Sequence, residues 1–205
     1  MPLAPGIDAA AERSDLVRDA LAMAREAHAG QVRHTGSGEI PFVDHPLAVA
    51  ERLAEHDFGD EVLAAGLLHD VVEHGEAEPS AVRERFGDTV ADLVEALTEN
   101  TTIEPYELRK EEHRDRVAAA GADARAVFTA DKVANVEVLR EAYSVEGEEV
   151  DVELPVSLDM KIYVWELDLE MLFNESPDVP LVDRFADEMT GLWGQRASAA
   201  RASSP

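Results

Sequence analysis

Two imidazoles and three carboxylates, drawn from three separate stretches of the chain, carry the chemistry it can offer. His69, Asp70 and Glu73 fall inside the run Leu67–Glu73, which is otherwise apolar. On a helix, the spacing i, i+1 and i+4 lets all three side chains lean toward one point. Their apolar neighbours predict that this point is at least half buried. A buried carboxylate beside an imidazole is costly unless something compensates it, and a divalent cation does so. A His–Asp pair near a helix C-terminus also occurs as a plain surface feature, with the imidazolium favoured by the helix dipole. Three further residues favour the metal. His45 directly precedes Pro46, where a helix start would hold it fixed, and Asp131 and Asn135 lie one turn apart on one face of a late helix. His45, His69, Asp70 and Asp131 together make a nitrogen and oxygen donor set suited to Mn²⁺, Fe²⁺ or Zn²⁺. Such a set leaves room for a water and a substrate oxygen, with Glu73 placed to take or orient a proton. Arg33, in a Gly-containing loop, is a candidate for neutralising charge on a leaving phosphate. Lys132 points roughly 100° away from Asp131 on a helix, so solvent is its expected neighbour.

The elements that must position these residues are helices. Ser14 is a good N-cap for a helix to about Ala29, stopped by Gly30. Gln31 to Asp44 reads as a loop, and Pro46 as the first turn of a second helix. A third helix is predicted from Glu61 to His74, ending at Gly75. Pro79–Phe86, closed by Gly87, and Thr89–Glu99 follow, then Pro105–Ala120, Ala122–Tyr143, Ser157–Phe173 and Leu181–Trp193. Only Val150–Leu154 alternates in the manner of a strand, and it is short. The expected class is all-α, one helical bundle over 14–194, with mobile tails at 1–13 and 195–205.

Composition narrows the function classes. The 205 residues hold 44 acidic and 18 basic side chains, for a net charge of −26. A surface of that sign repels nucleic acid and anionic membranes, so neither is an expected partner. An anionic substrate would have to be drawn by a local patch working against the global field. The basic residues are mostly Arg, 15 against 3 Lys. The absence of cysteine rules out disulfides and thiolate metal sites. No apolar run is long enough to span a bilayer and no basic-then-apolar leader opens the chain, so a cytoplasmic location is expected.

Linked motifs then point to a family. His28–Arg33, Ile40–Leu47, Leu67–Glu73, Phe86-Gly87 and Ala130–Asn135 occur in the order found in RelA/SpoT-type HD hydrolases. The chain resembles most the hydrolase-only members, the small alarmone hydrolases and metazoan SpoT homologues. The likeness covers about Leu21 to Arg140 and extends more weakly through Lys161–Phe173. It implies an HD-domain helical fold and a Mn²⁺-dependent enzyme that removes the 3′-pyrophosphate of guanosine tetra- or pentaphosphate. On this resemblance the metal ligands are His45, His69, Asp70 and Asp131, and the pair that handles the attacking water is Glu73 and His74. The substrate contacts are Arg33 and His34, with Asn135 near ribose and phosphate. Too few residues follow Phe173 for the synthetase domain of the bifunctional members.

The chain departs from the family at His74, where Asp is usual, at His34, where Lys or another base is usual, and at Thr129, in a hydrophobic position. An imidazole at 74 recasts proton transfer around a group titrating near neutrality. His for a permanent cation at 34 weakens the grip on a polyphosphate. These changes favour the first alternative, an HD phosphohydrolase acting on a different nucleotide or phosphorylated small molecule. The second is a metal-binding module with little turnover.

Overall fold

The computed structural model describes residues 5–35, 38–75, 77–147, 149–150 and 156–202. Seven consecutive buried residues, Val62 to Leu68, set the centre of the molecule. They make α4 (Asp60–Leu68), a helix apolar on every side, which is the pattern of a helix with neighbours all round it. Those neighbours are α2 (Asp15–Ala27), α3 (Asp44–Glu55), α5 (Pro79–Leu97) and α7 (Ala122–Glu146). At Gly66 the backbones of α3 and α4 come close. A Cβ there would sit 2.7 Å from Leu53 Cδ1. The outer helices are α1 (Pro5–Arg13), α6 (Tyr106–Ala119), α8 (Leu158–Glu175) and α9 (Pro180–Ala202). The fold is all-α, as expected, apart from one small hairpin. α5 is bent at Gly87, whose φ of 82° and ψ of 174° interrupt the helix where the sequence places a stop.

Four local expectations are corrected. The helix predicted over 61–74 ends at Leu68, and 69–75 continue as turns. The cause is His69, whose Nδ1 lies 2.8 Å from the Gly66 carbonyl, the acceptor that the Asp70 amide would use in a continuing α-helix. The predicted loop 31–44 contains β1 (Val32–Thr35) and β2 (Gly38–Pro41), paired antiparallel with Arg33 opposite Ile40. Residues 1–13 are not simply a tail. Pro5–Arg13 is helical, with Ile7 and Ala10 buried in the core. The carboxylate of Glu51 accepts the Gly6 and Ile7 amides at 3.1 and 2.8 Å, meeting the open donors of a helix N-terminus. At the other end α9 runs to Ala202, past the limit at 194, with Arg196 bridging to Asp159 at 2.8 Å. The strand signal at Val150–Leu154 lies mostly outside the described residues.

Candidate active site

Three elements converge on one point beside α4. His69 and Asp70 extend from its C-terminus, His45 sits in the first turn of α3, and Asp131 projects from the middle of α7. The ligand atoms face one another. His45 Nε2 is 3.0 Å from Asp131 Oδ1, 3.6 Å from Asp70 Oδ2 and 3.3 Å from His69 Nε2. His69 Nε2 is 3.4 Å from Asp70 Oδ2 and 3.8 Å from Asp131 Oδ1. Both imidazoles are buried. The Gly66 carbonyl accepts a hydrogen bond from His69 Nδ1–H, so in the neutral ring the lone pair sits on Nε2, which faces two carboxylate oxygens. Acceptors gathered this closely repel one another unless a cation lies among them. The ligand atoms of His45, His69 and Asp131 lie close enough together to hold a divalent metal ion, and Asp70, which also groups with Glu73 and His74, approaches them through the two imidazoles.

The electrostatics agree. Burial pushes the carboxyls of Asp70 and Asp131 up, yet both are held below the usual range. The imidazoles of His69 and His45 outweigh burial at Asp70, and Lys132 does so at Asp131, with help from His45. Burial lowers His45, against the pull of Asp131. Both oxygens of Asp131 are also held by its own helix. Its Oδ2 is 2.8 Å from Lys132 Nζ, and its Oδ1 accepts the Asn135 side-chain amide at 2.6 Å. Lys132 is therefore buried and paired, not turned to solvent. The Asp131 and Asp168 charges hold its pKa above the usual value although burial lowers it.

Glu73 lies one turn further on. Its Oε2 accepts the Glu99 amide at 3.1 Å, and its Oε1 is 3.3 Å from His74 Nε2. Burial and the nearby Glu99 carboxylate raise its pKa. Glu99 itself stays low, because Lys110 outweighs its burial. His74 is held from behind. Gln31 Nε2 donates to its carbonyl at 2.9 Å, and its ring leans on Phe42, which also stacks on His28 at 4.6 Å. Arg33 reaches from β1 to Asn135 Oδ1 at 2.8 Å. The side chain of His34 lies outside the described part of the structure; its backbone pairs with Glu39. Thr129 fits its buried position by donating its hydroxyl to the Arg125 carbonyl at 2.6 Å.

The four candidate ligands, with Glu73, His74, Phe42, Arg33, Lys132 and Asn135, line a cavity of about 320 Å³. Its opposite wall holds residues that the sequence did not single out. Tyr106, Arg109 and Lys110 come from α6, Lys161, Trp165 and Asp168 from α8, and Glu99 from the end of α5. Glu99 is bound by both Arg109 and Lys110, and the buried Asp168 by Arg114 at 2.8 Å. Burial raises Asp168, against Lys132 and Arg114. The available signal was an acidic or basic residue at a helical position that should have been apolar. In a segment as charged as Pro105–Ala120 that signal is lost.

Comparisons with known proteins bear on the family and the fold. Residues 20–154 match the family model of the HD domain. A guanosine-3′,5′-bis(diphosphate) 3′-pyrophosphohydrolase of Aquifex aeolicus is 31% identical over 165 residues, 78% of this chain and 23% of that protein. The chain thus spans about a quarter of the length of that relative. A Listeria monocytogenes protein of known crystal structure is 33% identical, with a TM-score of 0.67 over 73% of this chain and 99% of that one. A metazoan SpoT orthologue, described as hydrolysing ppGpp, superimposes with a TM-score of 0.70 over 89% of this chain and 97% of its own at 24% identity, a likeness of fold.

Proposed function

Because the chain belongs to the HD-domain family, we propose that it is a Mn²⁺-dependent phosphohydrolase that releases pyrophosphate from the 3′ position of guanosine tetra- or pentaphosphate. The observation that carries this is the convergence of His45, His69, Asp70 and Asp131 in a cavity that Arg33, Arg109, Lys110, Lys132 and Lys161 also line. The name of the Aquifex aeolicus relative supports the substrate. A divalent cation held by these four residues would supply a water of lowered pKa and polarise a phosphoryl oxygen.

The chain's own residues do the rest. Glu73 accepts the proton of the attacking water. Its raised pKa brings it nearer to neutrality, where a general base works best. The Glu99 amide fixes the Oε2 oxygen, and His74 stands against the other with an imidazole that can pass the proton on. Arg33 and Asn135 form one bonded unit on the same wall, a permanent cation and an amide presented to a phosphate oxygen or a ribose hydroxyl. Tyr106 and Trp165 supply flat apolar surface for a base.

A second reading, hydrolysis of a different phosphorylated nucleotide, is favoured by the half-exposed His74 beside Glu73. Incubating the manganese-loaded protein with a nucleotide panel and identifying every product separates the two. Pyrophosphate and GDP from guanosine tetraphosphate are the expected products. Orthophosphate from another nucleotide would move the assignment to the second reading, and no turnover on any of them would overturn both.

A further inference from the structure

Among the described residues, five cationic side chains line the cavity: Arg33, Arg109, Lys110, Lys132 and Lys161. Four of them are committed inside the protein. Arg33 donates to Asn135, Lys132 pairs with Asp131, and Arg109 and Lys110 both hold Glu99. Lys161 on α8 is different. Among the described residues its ammonium has no carboxylate or carbonyl partner and rests 5.4 Å from the centre of the Trp165 ring. In a chain with 44 acidic side chains, a lysine on the open surface would find a carboxylate easily. Here the groups that face it are mostly of its own sign: Arg33 from β1, Lys110 from α6 and Lys132 from α7, against Asp131 from α7. Burial and those cations bring its pKa down to about 8, so it is still largely protonated at neutral pH. Lys161 is half-buried, and a cation partly removed from water among other cations costs free energy until an anion joins it.

We propose that Lys161 is a phosphate-binding residue of this cavity, its ammonium taking an oxygen of a nucleotide's phosphate or diphosphate group. Lys110 and Lys132 are neutralised by carboxylates and Arg33 gives one N–H to the neutral Asn135 amide, so Lys161 adds to Arg33 a second cation of this cavity that no carboxylate among the described residues holds. Trp165, one turn along the same helix, places an aromatic wall beside it. The inference rests on reading the cavity as a nucleotide site, but its test reads binding and not hydrolysis.

GDP and guanosine are titrated calorimetrically into the manganese-loaded protein, as wild type, Lys161→Met and Lys161→Arg. The wild type is expected to bind GDP at least about tenfold more tightly than guanosine, the worth of one charge-assisted contact to phosphate. Lys161→Met should lose about that factor for GDP and leave guanosine within about twofold, whereas Lys161→Arg restores most of it. Equal GDP affinity in wild type and Lys161→Met would overturn the proposal. So would an equal loss for guanosine, a failure of Arg to do better than Met, or no GDP binding by the wild type. GDP binding that depends on Lys161, in a protein that hydrolyses no nucleotide, would instead sink the reaction assigned above and leave this residue's role standing.

Discussion

Replacing Lys132 with methionine keeps most of its apolar stem and removes the ammonium, with its charge and its hydrogen bond to Asp131. Lys132 is 6% exposed, its Nζ lies 2.8 Å from Asp131 Oδ2, and it sits 4.2 Å over the Phe128 ring. Asp168, also buried, feels the same charge. Removing one member of a buried pair strands the other, at a cost of about 3–5 kcal/mol. A chain of this size loses about 2–4 °C of melting temperature per kcal/mol, so the metal-free variant should melt about 6–20 °C below the metal-free wild type. Adding metal changes the comparison. With a divalent cation on its Oδ1 side, Asp131 is no longer an uncompensated charge. Saturating metal, which stabilises any native protein that binds it by about 4 kcal/mol at a thousandfold excess over Kd, should therefore raise the variant's melting temperature more than the wild type's. Differential scanning calorimetry of EDTA-treated and metal-saturated samples at pH 7 reads both quantities. A metal-free Lys132→Met within about 2 °C of wild type would refute the reasoning, as would identical metal-induced shifts in the two proteins.

Other perturbations test separate parts of the account. Glu73→Gln should keep the wild-type metal content and lower kcat by about 10²–10⁴, the usual worth of a general base; unchanged turnover would remove Glu73 from the reaction. His113 is buried with its Nε2 unpartnered, and burial brings its pKa down to about 3. The unfolded chain takes up this proton first, so stability should rise with pH from about 3 to 6.5. His113→Leu should flatten that rise in urea midpoints taken across the range. Asp131 and Glu99, depressed by their cations, add to the acid end of that rise. Their contribution is full above about pH 4 and is lost as pH falls through their folded values. The net charge of −26 predicts that raising KCl from 0.1 to 1 M, which shortens the screening length from about 10 to 3 Å, raises the melting temperature; a fall would show that the acidic surface is not the dominant repulsion.

How much of this was legible in the sequence depended on the range of the force involved. α4 was readable because its burial is written as a continuous apolar run, and the kink at Gly87 because a glycine marks it. His45, His69, Asp70 and Asp131 could be gathered because polar groups inside apolar segments need a compensating partner, and one cation would serve all four. The end of α4 was not readable, since it turns on which donor reaches the Gly66 carbonyl. The hairpin was hidden because four-residue strands carry no periodic signal. Lys132 was misplaced for a related reason. Helical geometry gives the direction of its Cβ but not the reach of a four-carbon stem that can curl back to the preceding carboxylate. The opposite wall, with Glu99, Lys110 and Lys161, exists only once α5, α6 and α8 are folded around one space.

The most direct measurement is an anomalous difference map from crystals grown with Mn²⁺. The account predicts a single strong peak among His45 Nε2, His69 Nε2 and the nearer carboxylate oxygens of Asp70 and Asp131, about 2.0–2.3 Å from each, and its loss in His69→Ala. A peak elsewhere, or none in a protein that retains its fold, would contradict the assignment and the chemistry built on it.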